Sequence, residues 1–329
     1  MRDPRFYLNK FLLEMSKKHH WSSCFMGDPM VLELEVTTYC NAKCIQCSRQ
    51  GEYLAELDLN RHLPYEDFIR IIKKFPYLER ITFSGMGEPL LYPHIFKAIE
   101  HVKKVRKGAI IAISTNSGLF KDPKMIDNIV QSKLDILQIS WHGASEDTIE
   151  KIMGIRDFNK IIAGTKELIN KKPRSLRVFI NCVLMRENAD ELDEIIRLVS
   201  SVGIKSIAFN RRNYISYSKT EKNDAAFYDS LELASKIERA RTLAGKLGIG
   251  LFYDPKPKCN SLWDYSYVSL NGDVSPCGAY DMPNICNLGN IFTDGKQKIY
   301  RSAFLRSLRR DIAARKKPEY CKNCYLTWA

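Results

Sequence analysis

The stretch TTYCNAKCIQCSRQ (residues 37–50) places Cys40, Cys44 and Cys47 within eight positions and offers no fourth thiol nearby. Structural zinc takes four closed ligands, commonly from two separated pairs, and His62 is the only other candidate close in sequence. A 4Fe–4S cube instead takes one thiolate per iron. Three thiolates would leave one iron open to chelate a further molecule and pass it an electron. The preceding residues VLELEV (31–36) read as a strand, so the loop stands at a strand's carboxyl end. Sheets of parallel strands bind their ligands there.

Working outward, strands are predicted at 79–85, 109–115, 135–140, 176–184 and 204–210. Helical spacing appears at 64–75, where Phe68, Ile69, Ile72 and Phe75 share a face. It recurs at 93–106, 122–131, 145–152, 158–171 and 188–202. Six strands alternating with helices imply parallel βαβ units. A long helix near 221–247 is expected to lead out of the repeat, and DPKPK (254–258) breaks regular structure. Beyond it come short strands, turns and cysteines, with NGD (271–273) as a hairpin turn. The expected organisation is an N-terminal helical extension (1–30), an α/β core (31–250) and a small cysteine-rich domain (251–329). In the extension Phe6, Tyr7, Phe11, Leu12 and Met15 recur at helical spacing and predict an amphipathic helix laid on the body.

A 329-residue chain with 45% hydrophobic residues can build a core without disulfide staples. No run approaches the roughly 18–20 apolar residues that span a bilayer. The N-terminus has neither a continuous apolar h-region nor a small-residue cleavage site, so a cytoplasmic location is expected. Net charge of +13 suits an acidic partner, or simply lysine-rich helix faces. No segment interleaves basic and aromatic residues as a nucleic-acid module does, so nucleic acid is not an expected partner. Ten cysteines without a secretory signal point to metal or redox chemistry. Cys24 and Cys182 stand apart and read as ordinary buried small residues.

Cys-x3-Cys-x2-Cys directly after a first strand resembles the radical SAM enzymes. Other parts of that family's pattern follow in order. SGMGEPLLYPHI (84–95) resembles the glycine-rich motif, here Gly85, Met86, Gly87 and Glu88 followed by Pro89. Glycines there let the backbone approach the cofactor, and Glu88 can complement charge or brace the turn. STNSG (114–118) brings Asn116 to the end of the third strand. QISWHGASEDTIEKIMG (138–154) resembles the fourth-strand region and nominates Ser140 as a ribose contact. INCVLMRENADELDEIIRLVSSVGI (180–204) places Asn181 and Val183 near the adenosyl group. The chain departs from the pattern at Gln46, where many members carry an aromatic, and at Trp141-His142. It departs again at Met153, where some carry an arginine for which Arg156 is only a weak candidate substitute.

A second cysteine set, Cys259, Cys277, Cys321 and Cys324, fits zinc or an iron–sulfur cluster on donor chemistry alone. Its surroundings, NLGNIFTDGKQKIYRSAFLRSLRRD (287–311) and PEYCKNC (318–324), resemble the SPASM and twitch domains of some radical SAM enzymes. The single four-cysteine set resembles the shorter twitch form and leaves Cys286 outside the ligand shell. The resemblance implies a partial (β/α)6 TIM-like barrel with a small C-terminal twitch/SPASM-type domain. It also implies S-adenosylmethionine, two 4Fe–4S clusters and a one-electron reductant such as flavodoxin or ferredoxin. The expected reaction is oxidation of a hydroxylated small molecule, sugar-like or cyclitol-like, with the auxiliary cluster accepting an electron. A ribosomal-peptide maturase is the rival, and a non-catalytic metal-binding module the alternative of another class. His142 is a weak candidate for proton transfer, while Arg211, Arg212 and Tyr214 lie near predicted strand ends.

Overall fold

The computed structural model describes residues 3–19, 27–52, 54–213, 224–259, 261–278, 286–321, 324 and 326. Along the chain come α1 (Pro4–Lys18), β1 (Val31–Leu34), α2 (Tyr65–Lys74), β2 (Arg80–Phe83) and α3 (Ile95–Val105). The βα alternation continues through β3 (Ile110–Thr115), α4 (Pro123–Gln131), β4 (Ile136–Ser140), α5 (Glu146–Met153) and α6 (Phe158–Lys171). Next are β5 (Arg177–Leu184), α7 (Leu192–Ser201), β6 (Ser206–Arg211), α8 (Ala225–Tyr228), α9 (Leu231–Lys246) and β7 (Gly250–Phe252). The remainder holds α10 (Ser261–Asp264), β8 (Tyr265–Val268), β9 (Asp273–Ser275), β10 (Gly289–Asn290), α11 (Lys296–Tyr300) and α12 (Ala303–Ala313). No described helix is long and apolar enough to cross a membrane.

Local sequence explains many of the boundaries. Asp122 caps α4 by accepting from the Lys124 amide, with Pro123 opening the helix. Ser145, Ser230 and Ser302 cap α5, α9 and α12 in the same way. Gly154, at φ 62°, closes α5 in the left-handed conformation that a residue with a side chain rarely adopts.

The chain divides into two compact units. The first comprises Met1–Tyr39, Ala55–Ala112 and Lys256–Ala329. Its strands run in the order β10-β9-β8-β1-β2. β1 is parallel to β2 on one side and to β8 on the other, with Glu33 level with both Thr82 and Tyr267. β8 and β9 form the hairpin expected around NGD, and Gly272 takes φ +86° within its turn. Leu32 and Leu34 are fully buried on one face of β1, so Glu33 and Glu35 project from the other.

α1 forms as expected but turns a different face inward. It buries Phe6, Asn9, Leu13 and Ser16, while Tyr7, Leu8 and Phe11 are each more than half exposed. The reason is a tertiary partner: Asn9 donates to the Asp28 carbonyl at 2.9 Å and accepts from the Asp28 amide at 2.6 Å. Its amide is thereby satisfied in the interior.

The second unit comprises Cys40–Leu54 and Ile113–Pro255, so the residues of β3 are shared between the two units. Here β4, β5, β6 and β7 are parallel neighbours in that order. α9 does not lead out of the repeat, contrary to expectation. It returns the chain to a further parallel strand, β7, which pairs with Ser206–Ala208 of β6. Three residues, one of them glycine, are too few to reveal a period of two.

Candidate functional site

In the first unit the strand β2 runs out into Ser84 and the glycine-rich turn. Gly85 takes φ +145°, and a Cβ there would meet the Glu35 side chain at 2.8 Å. Gly87 is tighter still: a Cβ would stand 2.1 Å from the Thr37 carbonyl oxygen and 2.8 Å from that of Tyr39. Only glycine lets this turn lie against the strand end that leads to Cys40. The Glu88 amide donates to the Tyr39 carbonyl at 2.8 Å, and its buried carboxylate accepts from the Leu90 amide at 3.1 Å. Glu88 therefore braces the turn. Beneath it, Glu35 is 1% exposed and accepts from the Met86 amide (2.9 Å), the Tyr267 hydroxyl (3.1 Å) and the Leu270 amide (3.3 Å).

The His62 ring lies tilted against Tyr39 with centroids 4.6 Å apart, and its pKa is lowered by burial and by His94. Among the described residues no three His, Cys, Asp or Glu side chains are drawn together as a single metal ion would require.

In the second unit Cys40, Cys44 and Cys47 are all partly exposed thiols. The loop is held from several sides: Lys43 and Ile45 donate to the carbonyls of Met153 and Ile152 at 2.7 and 2.9 Å. Arg212 donates to the Ile45 carbonyl at 3.3 Å. The Cys40 sulfur accepts from the Ala42 amide at 3.5 Å and from Asn116 Nδ2 at 3.7 Å. Asn116 also donates to Asn41 at 2.8 Å and accepts from the Gly118 amide at 2.8 Å.

Ser140 and Asn181 are register partners on β4 and β5, and Val183 faces Asn210 of β6. All three predicted residues are partly open, while their neighbours Ile139, Cys182 and Leu184 are fully buried on the opposite face. His142 is different. It is 4% exposed, its Nδ1 accepts from the Val183 amide at 3.2 Å, and burial pushes its pKa down to about 4. It holds the end of β5 as a neutral ring. Arg211 donates to the Pro255 carbonyl at 3.2 Å and lies over Tyr228, and exposed Arg156 pairs with Glu150 at 2.6 Å. Tyr214 and Cys24 lie outside the described residues.

The C-terminal cysteines return to the first unit. The Cys259 thiol is pushed up to about 11, mainly by burial and also by Cys324 and Cys321 nearby. Cys286, 3% exposed, is pushed up to about 12 by burial and then by Cys321. The fold thus brings Cys286 into the electrostatic reach of this set. Its distance of 35 residues from Cys321 gave the sequence no spacing signal.

Residues 34–199 match the model of the radical SAM superfamily. The chain belongs to that superfamily. Residues 259–325 match the SPASM iron–sulfur cluster-binding domain. A probable GTP 3′,8-cyclase of Saccharolobus solfataricus is 30% identical over 295 residues, covering 83% of this chain and 92% of the relative. The tungsten-containing aldehyde ferredoxin oxidoreductase cofactor-modifying protein of Pyrococcus furiosus is 26% identical over 266 residues, with coverages of 75% and 70%. Among solved structures, Streptococcus suis SuiB bound to the precursor peptide SuiA gives a TM-score of 0.71 at 18% identity. That match covers 99% of this chain and 75% of SuiB, and it shows the shared fold.

This radical SAM enzyme has the parallel-stranded α/β fold of a partial TIM barrel, followed by a SPASM region. S-adenosylmethionine and iron–sulfur clusters belong to such an enzyme, and two features of the Cys40–Cys47 loop suit them. The N–H groups aimed at Cys40 suit a thiolate on iron. Gln46 Oε1, between the second and third cysteines, is buried and meets no hydrogen-bond donor among the described residues, so it offers an acceptor to an amino group.

Proposed function

We propose that the chain is a radical SAM oxidoreductase acting on a hydroxylated small molecule, sugar-like or cyclitol-like. In this reading Cys40, Cys44 and Cys47 hold one 4Fe–4S cluster whose open iron binds S-adenosylmethionine. Gly85, Met86, Gly87, Glu88, Asn116, Ser140, Asn181 and Val183 form the cofactor's protein surroundings. Cys259, Cys277, Cys321 and Cys324 hold an auxiliary 4Fe–4S cluster that accepts an electron. Residues 31–250 supply the cofactor core, 251–329 the auxiliary domain and 1–30 a helical extension. Flavodoxin or ferredoxin would be the reductant, in the cytoplasm.

The observation that carries the reading is the position of β1. One neighbour, β2, leads into the Gly85–Glu88 turn; the other, β8, leads through its hairpin toward Cys277. β9 runs antiparallel to β8 and brings Ser275 level with Tyr267 and so with Glu33, so the cofactor-binding turn and Cys277 would stand toward opposite ends of β1. The two curated relatives are named for a nucleotide and for a cofactor, both small molecules. A peptide substrate is the second reading, favoured by the extent of the match to peptide-bound SuiB.

The test begins with iron and sulfide per chain after anaerobic reconstitution, for the wild type and for the Cys40→Ala, Cys44→Ala, Cys47→Ala variant. About eight irons falling to about four is expected, since each cube holds four. The wild type with S-adenosylmethionine and dithionite is then offered cyclitols, hexoses and peptides. A carbonyl product formed with 5′-deoxyadenosine in equal amounts supports oxidation of a small molecule. Turnover of peptides alone would replace it with the maturase reading.

A further inference from the structure

Glu33 and Glu35 project from the same face of β1, and each takes a tyrosine hydroxyl. Glu35 is buried and also receives two backbone N–H groups, donors that cannot reverse. Glu33 is only partly buried and has a hydroxyl on each oxygen. Ser84 Oγ donates to Oε1 at 2.6 Å, and the Tyr265 hydroxyl donates to Oε2. Hydroxyls rotate and can both donate and accept, so a proton arriving on this carboxylate has an exit. Main chain closes on the pair from a third side. A Cβ on Gly278 would stand 2.5 Å from the Tyr265 hydroxyl and 2.7 Å from Glu33 Oε2.

The position along the chain gives the pair its meaning. Ser84 immediately precedes Gly85, and Gly278 immediately follows Cys277, whose Cα is therefore about 3.8 Å from that of Gly278. The Glu33–Tyr265 pair lies between the turn read as cofactor-binding and a cysteine read as an auxiliary ligand.

We infer that Glu33, with Tyr265, is the general base that takes the proton from the substrate hydroxyl. This rests on the oxidation reading above. When bound, S-adenosylmethionine supplies the group that removes a hydrogen atom from the carbinol carbon, and the auxiliary cluster supplies the electron acceptor. Glu33 then accepts the hydroxyl proton while the carbon–oxygen bond becomes a carbonyl and one electron leaves for the oxidised cluster. The substrate thus loses two electrons and two hydrogens. One electron and one hydrogen end in 5′-deoxyadenosine, the other electron on the auxiliary cluster and the other proton on Glu33. From there Ser84 or Tyr265 relays it.

The experiment uses the reconstituted full chain with the cyclitol and hexose panel, comparing wild type with Glu33→Gln and Tyr265→Phe. Iron content and circular dichroism are measured first. In Glu33→Gln, hydrogen abstraction should persist while carbonyl formation falls about a hundredfold, as loss of a general base does. The ratio of carbonyl to 5′-deoxyadenosine should drop far below one, with a carbon-centred radical visible by EPR. Tyr265→Phe should uncouple more weakly, and it carries the test if Glu33→Gln loses iron. Both variants keeping the wild-type ratio and showing no carbon-centred radical by EPR would overturn the role of the pair and leave the oxidation reading standing. A wild type holding about eight irons that makes no carbonyl from any polyol would overturn both.

Discussion

The Met86 amide donates to the Glu35 carboxylate at 2.9 Å, across 51 residues of sequence. The same carboxylate reaches Tyr267 and Leu270, so one buried side chain fastens the glycine-rich turn to the β8–β9 hairpin. Glu35→Ala would leave these buried donors without an acceptor, at about 1–3 kcal/mol for each group that finds no water. Urea unfolding should show a loss of roughly 3 kcal/mol, together with weaker binding of S-adenosylmethionine. A variant as stable as the wild type would remove Glu35 from this account.

Gly87 has no room for a methyl group. In Gly87→Ala the Thr37 carbonyl and the turn must separate, and overpacking of this kind costs about 1–3 kcal/mol. Because the displaced strand end runs directly into Cys40, iron retention after gel filtration should fall along with the melting temperature. Ala at the more open Gly245, within α9 where a Cβ meets nothing within 4 Å, is the control and should lower neither.

The His142 imidazole is held near pKa 4 by burial, against an ordinary value of 6.5. A lowered folded-state pKa means that its stabilising contribution is complete above pH 6.5. The contribution is lost as pH falls toward 4, because the unfolded chain takes up the proton first. Between pH 6.5 and 5 the loss is roughly 2 kcal/mol. Asn at this position can accept from the Val183 amide without titrating, so His142→Asn should flatten the pH dependence of the urea midpoint over that range. Equal slopes in the two proteins would count against the assignment.

Cys286 lies within electrostatic reach of Cys321 but stands outside the proposed ligand set. If the auxiliary cluster uses Cys259, Cys277, Cys321 and Cys324, Cys286→Ser should retain about eight irons and Cys321→Ser should keep about four. The reverse result would exchange Cys286 into the ligand set.

The spacing of Cys40, Cys44 and Cys47, the glycines at 85 and 87 and the alternation of strand and helix were all legible in the sequence. Each is local: ligand loops, tight turns and the periods of 2 and 3.6 are written within a few residues. The inward turn of Asn9, the return of the chain to β7 and the parallel pairing of β8 with β1 were not legible. Nor were the partners of Glu33 and Glu35, or the approach of Cys286 to Cys321. A carboxylate on a strand reads as solvent-facing until its donors are known, and here Tyr265 and Tyr267 come from 232 residues away. The sequence by itself determined which chemistry the chain carries. Only the tertiary structure decided which charged groups stand beside it, because those positions depend on pairings between distant segments that no local pattern encodes.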